Sequence, residues 1–287
     1  MRAFRSAGLM LTLVLSCVTL SCLAHAAQAA TLTENFDKSY PLRSGGSFAV
    51  KNVNGSVTVE GWDQQQVQIN AVKEVRADSD EDARQAMSHL TIEVGQTAGG
   101  LRVETKMPRN GEGFWDWLSG HHVQAKVEYH IKVPRHLDLQ AESVNGAVSL
   151  TGTQGKATVE TTNGSVNVRQ VEGSVAAQTT NGGISVSEVA GSVKAETTNG
   201  SVKAQLTRVE GDLAFESTNG SITVHLPSDV RATVDASTSN GSVHSAFEVT
   251  GGLSKRRHVS GDINGGGGKL MLSTTNGGIR IENGGSI

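Results

Sequence analysis

Residues 155–208 read GKATVETTNGSVNVRQVE, GSVAAQTTNGGISVSEVA and GSVKAETTNGSVKAQLTR, three consecutive units of 18 residues. Each unit opens on a glycine and carries Asn-Gly at its centre. The pair belongs to a series of eight: Asn54, Asn145, Asn163, Asn181, Asn199, Asn219, Asn240 and Asn276. A fixed period of this size indicates a repeat architecture, in which each unit buries its apolar side against the next copy.

Each half of a unit has room for one strand of about five residues and a turn, and we expect glycine to supply the positive φ of that corner. The residues alternate in character within each half. Val193 and Ala195 point to one side while Lys194 and Glu196 point to the other, as the period of two in a strand requires.

Two architectures fit such strands. Asn-Gly is a strong hairpin signal and would suit an antiparallel meander, in which residues 18 apart lie two strands away and gain nothing from being identical. In a parallel β-solenoid of about 18 residues per coil, the same residues are neighbours at about 4.8 Å. A solenoid also covers its own Val/Ala side across the lumen. We therefore predict an all-β fold, a parallel β-solenoid with about seven coils from residue 140 onward.

The asparagines of the series are expected to be structural. Asparagine tolerates left-handed turn geometry and can hydrogen-bond to its copy one coil away. Identical spacing would place Asn181 directly beside Asn163 and Asn199.

The N-terminal part of the chain departs from the repeat. Residues 46–62, GSFAVKNVNGSVTVEGW, have the pattern of a first coil. After them, Ser79 and Asp82 followed by Ala83 and Met87 indicate a capped amphipathic helix. Longer alternating runs are expected to form strands at 67–72, 90–94, 101–105 and 123–133. We predict a small α+β N-terminal cap, which protects the end of the solenoid from edge pairing.

The first residues have the layout of a secretory signal. Arg2 and Arg5 precede an apolar run and then small residues through Ala30, and the run is too short for a membrane span. We predict a signal peptide over 1–29 with cleavage after Ala29, an N-terminal cap region with the first coil and one short helix over 30–139, and a β-solenoid repeat domain over 140–287. No later segment is apolar enough to span a membrane.

Both cysteines, Cys17 and Cys22, lie inside the predicted signal. The mature chain would then contain no thiol, and disulfides would play no part. The alternative is a lipoprotein acylated at Cys22, which the surrounding Thr19-Leu20-Ser21 matches poorly. We expect an exported protein of the periplasm or cell surface.

Charge argues against a nucleic-acid partner. Removal of the signal leaves 23 basic and 28 acidic residues, a net charge of −5, whereas nucleic-acid-binding surfaces are basic. Calcium-binding rolls share the 18-residue coil but bind the ion through aspartates in their turns. Here the turns carry Thr-Thr-Asn-Gly, so we expect neither metal nor cofactor.

Three motifs in this order resemble a known family: GGSFAVKNVNGSVTVEGWD at the start, the recurrent TTNGS units, and INGGGGKLMLSTTNGGIRIE at the end. Together they resemble the bacterial β-strand-repeat family of adhesin-like proteins, of unknown function and related to head-GIN domains. The resemblance covers nearly the whole mature chain. It implies a right-handed β-solenoid and an exported or surface location, and it brings no catalytic residues.

Two outward columns are the candidate surfaces of the repeats. The first stacks Glu160, Gln178, Glu196 and Glu216, and the second stacks Thr162, Thr180, Thr198 and Thr218. Either column offers polar atoms to a cation or to sugar hydroxyls. The alternative is that both are solvated strand faces, because threonine pairs well across strands.

An aromatic segment interrupts the repeat. Phe114, Trp115 and Trp117 are close together in a chain with only 4% aromatic residues, and His121-His122 follows. Such a segment can contact a glycan, lipid or protein partner. It can equally be a hydrophobic plug that holds the cap to the first coil. The two histidines alone do not make a metal site.

The sequence thus predicts a non-catalytic exported adhesin or envelope scaffold that binds surface glycan or an envelope protein, with its oligomeric state left open. No nucleophile elbow, zinc motif or phosphate loop is present. The alternative is a polysaccharide-acting β-helix enzyme, because some β-helices cleave polysaccharides with carboxylates on one face.

Overall fold

The structure is a computed structural model that describes residues 30–107 and 123–284. The elements before the regular repeats are β1 (Ala30–Pro41), β2 (Gly46–Lys51), β3 (Val57–Trp62), β4 (Gln66–Ala77), α1 (Asp80–His89), β5 (Thr91–Gln96), β6 (Gly100–Lys106) and β7 (Gln124–Pro134). The regular repeats form β8 (Leu137–Asn145), β9 (Val148–Thr151), β10 (Gln154–Asn163), β11 (Val166–Arg169), β12 (Glu172–Asn181), β13 (Ile184–Asn199), β14 (Val202–Asn219) and β15 (Ile222–Leu226). The remaining strands are β16 (Ala232–Asn240), β17 (Val243–Ser245), β18 (Thr250–Lys255), β19 (His258–Ile263), β20 (Gly268–Asn276) and β21 (Ile279–Asn283).

Two ladders of parallel strands enclose the lumen. Face A contains, in spatial order, β6, β2, β8, β10, β12, the second half of β13, the second half of β14, β20 and β16. Face B contains β7, β3, β9, β11, the first halves of β13 and β14, β15, β21 and β17. Nine strands in each ladder give a rod of roughly 40 Å at the usual strand spacing. The predicted parallel β-solenoid is confirmed.

Coil order in space differs from order along the chain at both ends. The coil of β2 and β3 lies between the strands of β6 and β7 and the coil of β8 and β9. At the other end, the coil of β20 and β21 lies between β14–β15 and β16–β17. The interval of 36 between Asn240 and Asn276 therefore does not mark one more coil added to the end of the rod.

Antiparallel strands complete both ends. β4 and then β1 extend face B beyond β7, and β5 pairs with β6 on face A. At the far end β19 and β18 extend face A beyond β16. The antiparallel additions break the parallel pattern that a further coil would need.

The single helix of the described residues forms as its sequence predicts. The Ser79 side chain caps α1 by accepting from the backbone N–H of Asp82 at 3.2 Å, which satisfies one of the free donors of the first turn. Ala83 and Ala86 are buried and pack the helix against β4 and β1.

The core follows from strand alternation. Val175, Val193 and Ala195 are buried, whereas Lys194 is exposed. Their register is direct, with Val175 beside Val193 and Ala177 beside Ala195. In these central coils, small aliphatic side chains fill the lumen and pack closely against their copies in the neighbouring coils, which removes their apolar surface from water. Larger side chains such as Phe48 and Phe215 are buried toward the two ends of the rod.

The eight asparagines form one continuous hydrogen-bonded ladder. In the spatial order Asn240, Asn276, Asn219, Asn199, Asn181, Asn163, Asn145 and Asn54, each Nδ2 except the last donates to the Oδ1 of the next asparagine at 2.7–2.9 Å. The Nδ2 of Asn54 donates to the carbonyl oxygen of Ala125 at 3.1 Å. The expected bond between copies is therefore present. The expected left-handed geometry is wrong, because none of these asparagines has positive φ.

Close stacking is what requires glycine after most of these asparagines. Gly164 and Gly182 lack positive φ, so the expected conformational reason is wrong at these corners. A Cβ on Gly182 would overlap the carbonyl oxygen of Gly164 in the adjacent coil. At the opposite corners the expectation holds, with φ of 125° at Gly155 and 128° at Gly173.

A second ladder of hydroxyls lies just inside the asparagines. Each buried Thr or Ser donates to the carbonyl oxygen of the Asn-Gly glycine in the neighbouring coil, at 2.8–2.9 Å for Thr161, Thr179, Thr197, Ser217, Thr274 and Thr238, and at 3.3 Å for Ser143. Every buried side-chain polar atom in the described part of the chain has a hydrogen-bond partner. The inner part of the corner is thus buried and polar, and its hydroxyl groups are all hydrogen-bonded.

Candidate functional site

The outward side of face A is the main candidate surface. Its strands run in register, so side chains at equivalent positions form straight columns along the rod. The glutamate column consists of Glu142, Glu160, Gln178, Glu196 and Glu216. The threonine column consists of the exposed Thr162, Thr180, Thr198, Thr218 and Thr275. The predicted columns are present and lie side by side.

Charge in the glutamate column is partly compensated. Lys51 pairs with Glu142 at 2.6 Å and Lys194 pairs with Glu196 at 2.7 Å. The hydrogen bond from Lys194 to Glu196 raises the pKa of the ammonium group, and Glu216 acts in the same direction. These pairs are exposed, so they orient side chains more than they stabilise the fold.

A polar groove lies between the two columns. It has a volume of about 320 Å³ and is lined by Gln178, Thr180, Glu196, Thr198, Glu216 and Thr218, among others. Its walls offer hydroxyls, carboxylates and one amide, which are groups that bind polyols through hydrogen bonds. The groove extends across β12, β13, β14 and β20, an arrangement suited to the side of an extended polymer.

A second groove lies on face A near the N-terminal end. Its volume is about 370 Å³, and Ser47, Ala49 and Gly100 give it a floor of small residues. Arg102 and Lys156 are cationic members of its lining, and Asp138 is the acidic one. The Asp138 carboxylate also accepts from the backbone N–H of Lys156 at 3.3 Å.

A buried polar network joins the strands that precede and follow residues 108–122 in the chain, and no sequence pattern predicted it. Asn52 Nδ2 donates to the carbonyl oxygen of Val127 at 2.8 Å, and its Oδ1 accepts from Thr105 at 2.9 Å. The Thr105 hydroxyl also bonds to Tyr129 at 2.7 Å, and burial raises the pKa of Tyr129 to about 12. These contacts tie β2 to β6 and β7, the two strands that flank the segment.

The predicted contact residues Phe114, Trp115 and Trp117 lie outside the described residues, as do His121, His122, Cys17 and Cys22. Within residues 30–107 and 123–284, no group of three or more His, Cys, Asp or Glu side chains is arranged to hold a metal. Over the same residues, no helix is both long and apolar enough to cross a membrane.

The architecture is therefore that of a capped β-solenoid whose regular outer surface is polar. The chain belongs to the Toastrack DUF4097 family, whose model matches residues 38–282. No curated protein matches the sequence.

The solved structures that the chain matches are distant in sequence. A "putative adhesin" from Bacteroides fragilis has 12% identity and a TM-score of 0.37, with 87% of this chain and 97% of that chain covered. A "putative cell adhesion protein" from Clostridium sporogenes has 13% identity and a TM-score of 0.29, with 87% and 100% covered. A "putative lipid binding protein" from Parabacteroides distasonis has 11% identity and a TM-score of 0.25, with 86% and 96% covered.

Proposed function

We propose that this protein is a non-catalytic exported binding module, an adhesin or envelope scaffold, that binds surface glycan or an envelope protein through face A. The observation that supports the proposal is the pairing of a glutamate column with a threonine column along successive coils. The columns repeat the same hydrogen-bond donors and acceptors on each successive strand, an arrangement that suits a partner with a repetitive structure of its own. Many weak contacts along such a partner add up through multivalency.

The surroundings of the glutamates favour binding over catalysis. Glycoside hydrolysis uses two carboxyl groups with different environments, one of them a protonated acid in an apolar setting. Glu196 is paired with Lys194 and Glu216 is exposed. Neither environment resembles that of a general acid.

The test is glycan-array binding and pull-down from intact envelope with the purified chain. A face A variant, Thr180→Ala/Thr198→Ala/Thr218→Ala, is expected to lose most of the binding. The matched control is Ser185→Ala/Lys203→Ala/Thr223→Ala, three outward residues in neighbouring coils of face B. Equal binding by both variants, or no binding by the unmodified chain, would contradict the proposal.

The polysaccharide-acting alternative is tested on the same samples. Chromatography of each bound glycan after incubation is expected to show an unchanged chain length. Shortened product that disappears in Glu196→Gln would establish the enzyme instead.

The aromatic segment is proposed as a second contact with the partner. Trp115→Ala/Trp117→Ala is expected to weaken binding while the midpoint of thermal unfolding stays the same. If instead stability falls and binding does not change, the segment is a hydrophobic plug.

Export is part of the proposal and has its own measurement. Mass spectrometry of the protein recovered from the envelope fraction is expected to show Ala30 as the first residue. A Cys22→Ser variant should behave identically. A fatty-acylated N-terminus at Cys22 would show that the protein is a lipoprotein.

A further inference from the structure

The C-terminal end of the rod carries a cluster of basic residues that the glycan proposal does not use. Lys255 is the last residue of β18, Arg256 and Arg257 form the turn to β19, and all three are exposed. The turn is attached to the last coil by its backbone. Its carbonyl groups at Arg256 and Arg257 accept from the N–H groups of Val243 at 2.8 Å and Thr238 at 2.9 Å.

None of the three cations has an acidic partner among the described residues, whereas several other lysines of the rod do. Lys51, Lys106 and Lys194 are all paired within 2.7 Å. On the neighbouring strands, Asp235 lies 3.9 Å from His258, and Asp262 accepts from Thr233 at 2.8 Å. The turn therefore keeps a local positive charge on a chain that is acidic as a whole.

Exposed apolar side chains accompany this charge on face A. Leu253 is 51% exposed and Met271 is 49% exposed, the two highest values among the exposed large hydrophobic residues of the described chain. Strand register aligns them: Met271 pairs with Asp235, Asp235 with Ser260, and Ser260 with Leu253. Both therefore project from the same side of the same few strands.

We propose that this end of the rod, defined by Leu253, Lys255, Arg256, Arg257 and Met271, binds the surface of an anionic lipid bilayer. Unpaired cations attract the phosphate groups of anionic lipids, and exposed apolar side chains enter the boundary between headgroups and acyl chains. A turn fixed to the last coil presents the cations without a large loss of conformational freedom. The rod would meet the membrane at this end and leave the rest of face A accessible.

The experiment is vesicle co-sedimentation of the purified chain. Vesicles of phosphatidylcholine containing one third phosphatidylglycerol are expected to bind the protein, and pure phosphatidylcholine vesicles are not. Lys255→Gln/Arg256→Gln/Arg257→Gln should weaken binding about a hundredfold, since each cation near an anionic surface contributes about a fivefold factor. Leu253→Ser should weaken it by about tenfold.

A matched variant separates a specific site from a general effect of net charge. Lys156→Gln/Lys194→Gln/Lys203→Gln removes the same charge from exposed residues in the middle of the rod. It is expected to bind vesicles like the unmodified chain. Equal loss in both triple variants, or equal binding to neutral vesicles, would overturn the proposal.

A free anion is distinguished by competition. Millimolar inorganic phosphate is expected to reduce vesicle binding no more than sodium chloride of the same ionic strength. Specific displacement by phosphate would show a small-anion site and overturn the membrane assignment. The glycan array contains no lipid, and its face A variants leave the three cations, Leu253 and Met271 unchanged. The array and the vesicle measurements therefore test the two proposals separately.

Discussion

Thr197 donates its hydroxyl hydrogen to the carbonyl oxygen of Gly182, one coil away, at 2.9 Å. The bond joins the two residue types that recur at each Asn-Gly corner. It satisfies a buried hydroxyl and a carbonyl that the tight glycine stacking removes from water. Equivalent bonds in the adjacent coils make the corner a continuous structural element rather than a set of separate turns.

Thr197→Val is expected to lower the free energy of unfolding by about 1–2 kcal/mol, because it leaves the Gly182 carbonyl without its hydroxyl donor. Urea denaturation measures the change. Thr198→Val is the control, because Thr198 is adjacent in the sequence and exposed, and it should change stability by less than about 0.5 kcal/mol. Equal effects of the two substitutions would show that the bond does not stabilise the corner.

Gly182→Ala is expected to destabilise the protein by about 3 kcal/mol, because its Cβ would overlap a carbonyl oxygen of the neighbouring coil. Gly183→Ala is the matched control. Its Cβ would meet the carbonyl oxygen of Ser201 at 3.3 Å, and equivalent positions carry Ser165 and Ser201. Thermal unfolding of both variants checks the prediction, and similar midpoints would contradict it.

Tyr129 is expected to make stability fall in alkaline solution. Burial raises its pKa in the folded protein to about 12, above the ordinary value of about 10. The free energy by which the buried, neutral Tyr129 favours the folded protein over an ionised one is fully present below pH 10. It is lost as the pH rises through the folded-state pKa. Its size is about 2–3 kcal/mol.

The pH dependence is isolated by comparison with Tyr129→Phe. The variant loses the bond to Thr105 at every pH, but its stability should decline less between about pH 10 and 12 than that of the unmodified chain. Urea denaturation across this interval gives both curves. Parallel curves would show that Tyr129 does not titrate in the predicted way.

The asparagine ladder is expected to resist deamidation in the folded state. Asn-Gly deamidates when the glycine nitrogen attacks the side-chain carbonyl carbon, releases ammonia and forms a cyclic imide that water then opens. Gly182 instead donates its N–H to the carbonyl oxygen of Asn199 at 2.9 Å, and the Asn181 side chain is bonded on both sides. Attack would require both sets of bonds to break.

Asn240 provides the comparison within the same molecule. It is the terminal member of the ladder, and among the described residues no acceptor is present for the N–H of Gly241. Deamidation raises the mass of a peptide by about one dalton. On prolonged incubation of the folded protein, the tryptic peptide 232–255, which contains Asn240, should show this increase before peptide 170–194, which contains Asn181. In urea the two rates should become similar. Equal rates in the folded protein would show that ladder bonding gives no protection.

The repeat period and strand alternation predicted the coil, the lumen residues and the outward columns correctly. Strand alternation alone assigns Val193 to the lumen and Lys194 to the outer surface. The 18-residue period then aligns the outward residues of successive coils into columns. The helix after Ser79 was also predictable, because its capping residues are local in sequence. The aromatic segment is not tested, since Trp115 and Trp117 lie outside the described residues.

Coil order and the role of the corner glycines were not predictable from pattern. Each coil presents two apolar side chains, a hydroxyl and an asparagine to its neighbours, so the pattern does not encode which coil packs on which. Positive φ and close backbone approach both select glycine. At Gly182 the neighbouring carbonyl oxygen alone excludes a side chain, whereas at Gly173 a φ of 128° and the carbonyl oxygen of Gly155 both do.

The inverted coil order also sets the time at which the rod can be completed. β20 and β21 fill the space between β14–β15 and β16–β17, so those coils have no parallel partner at that position until the last strands arrive. A chain that emerges from its N-terminus first can close this end only after nearly all its residues have been released. A prematurely terminated chain therefore exposes unpaired strand edges, which mark it for degradation or aggregation.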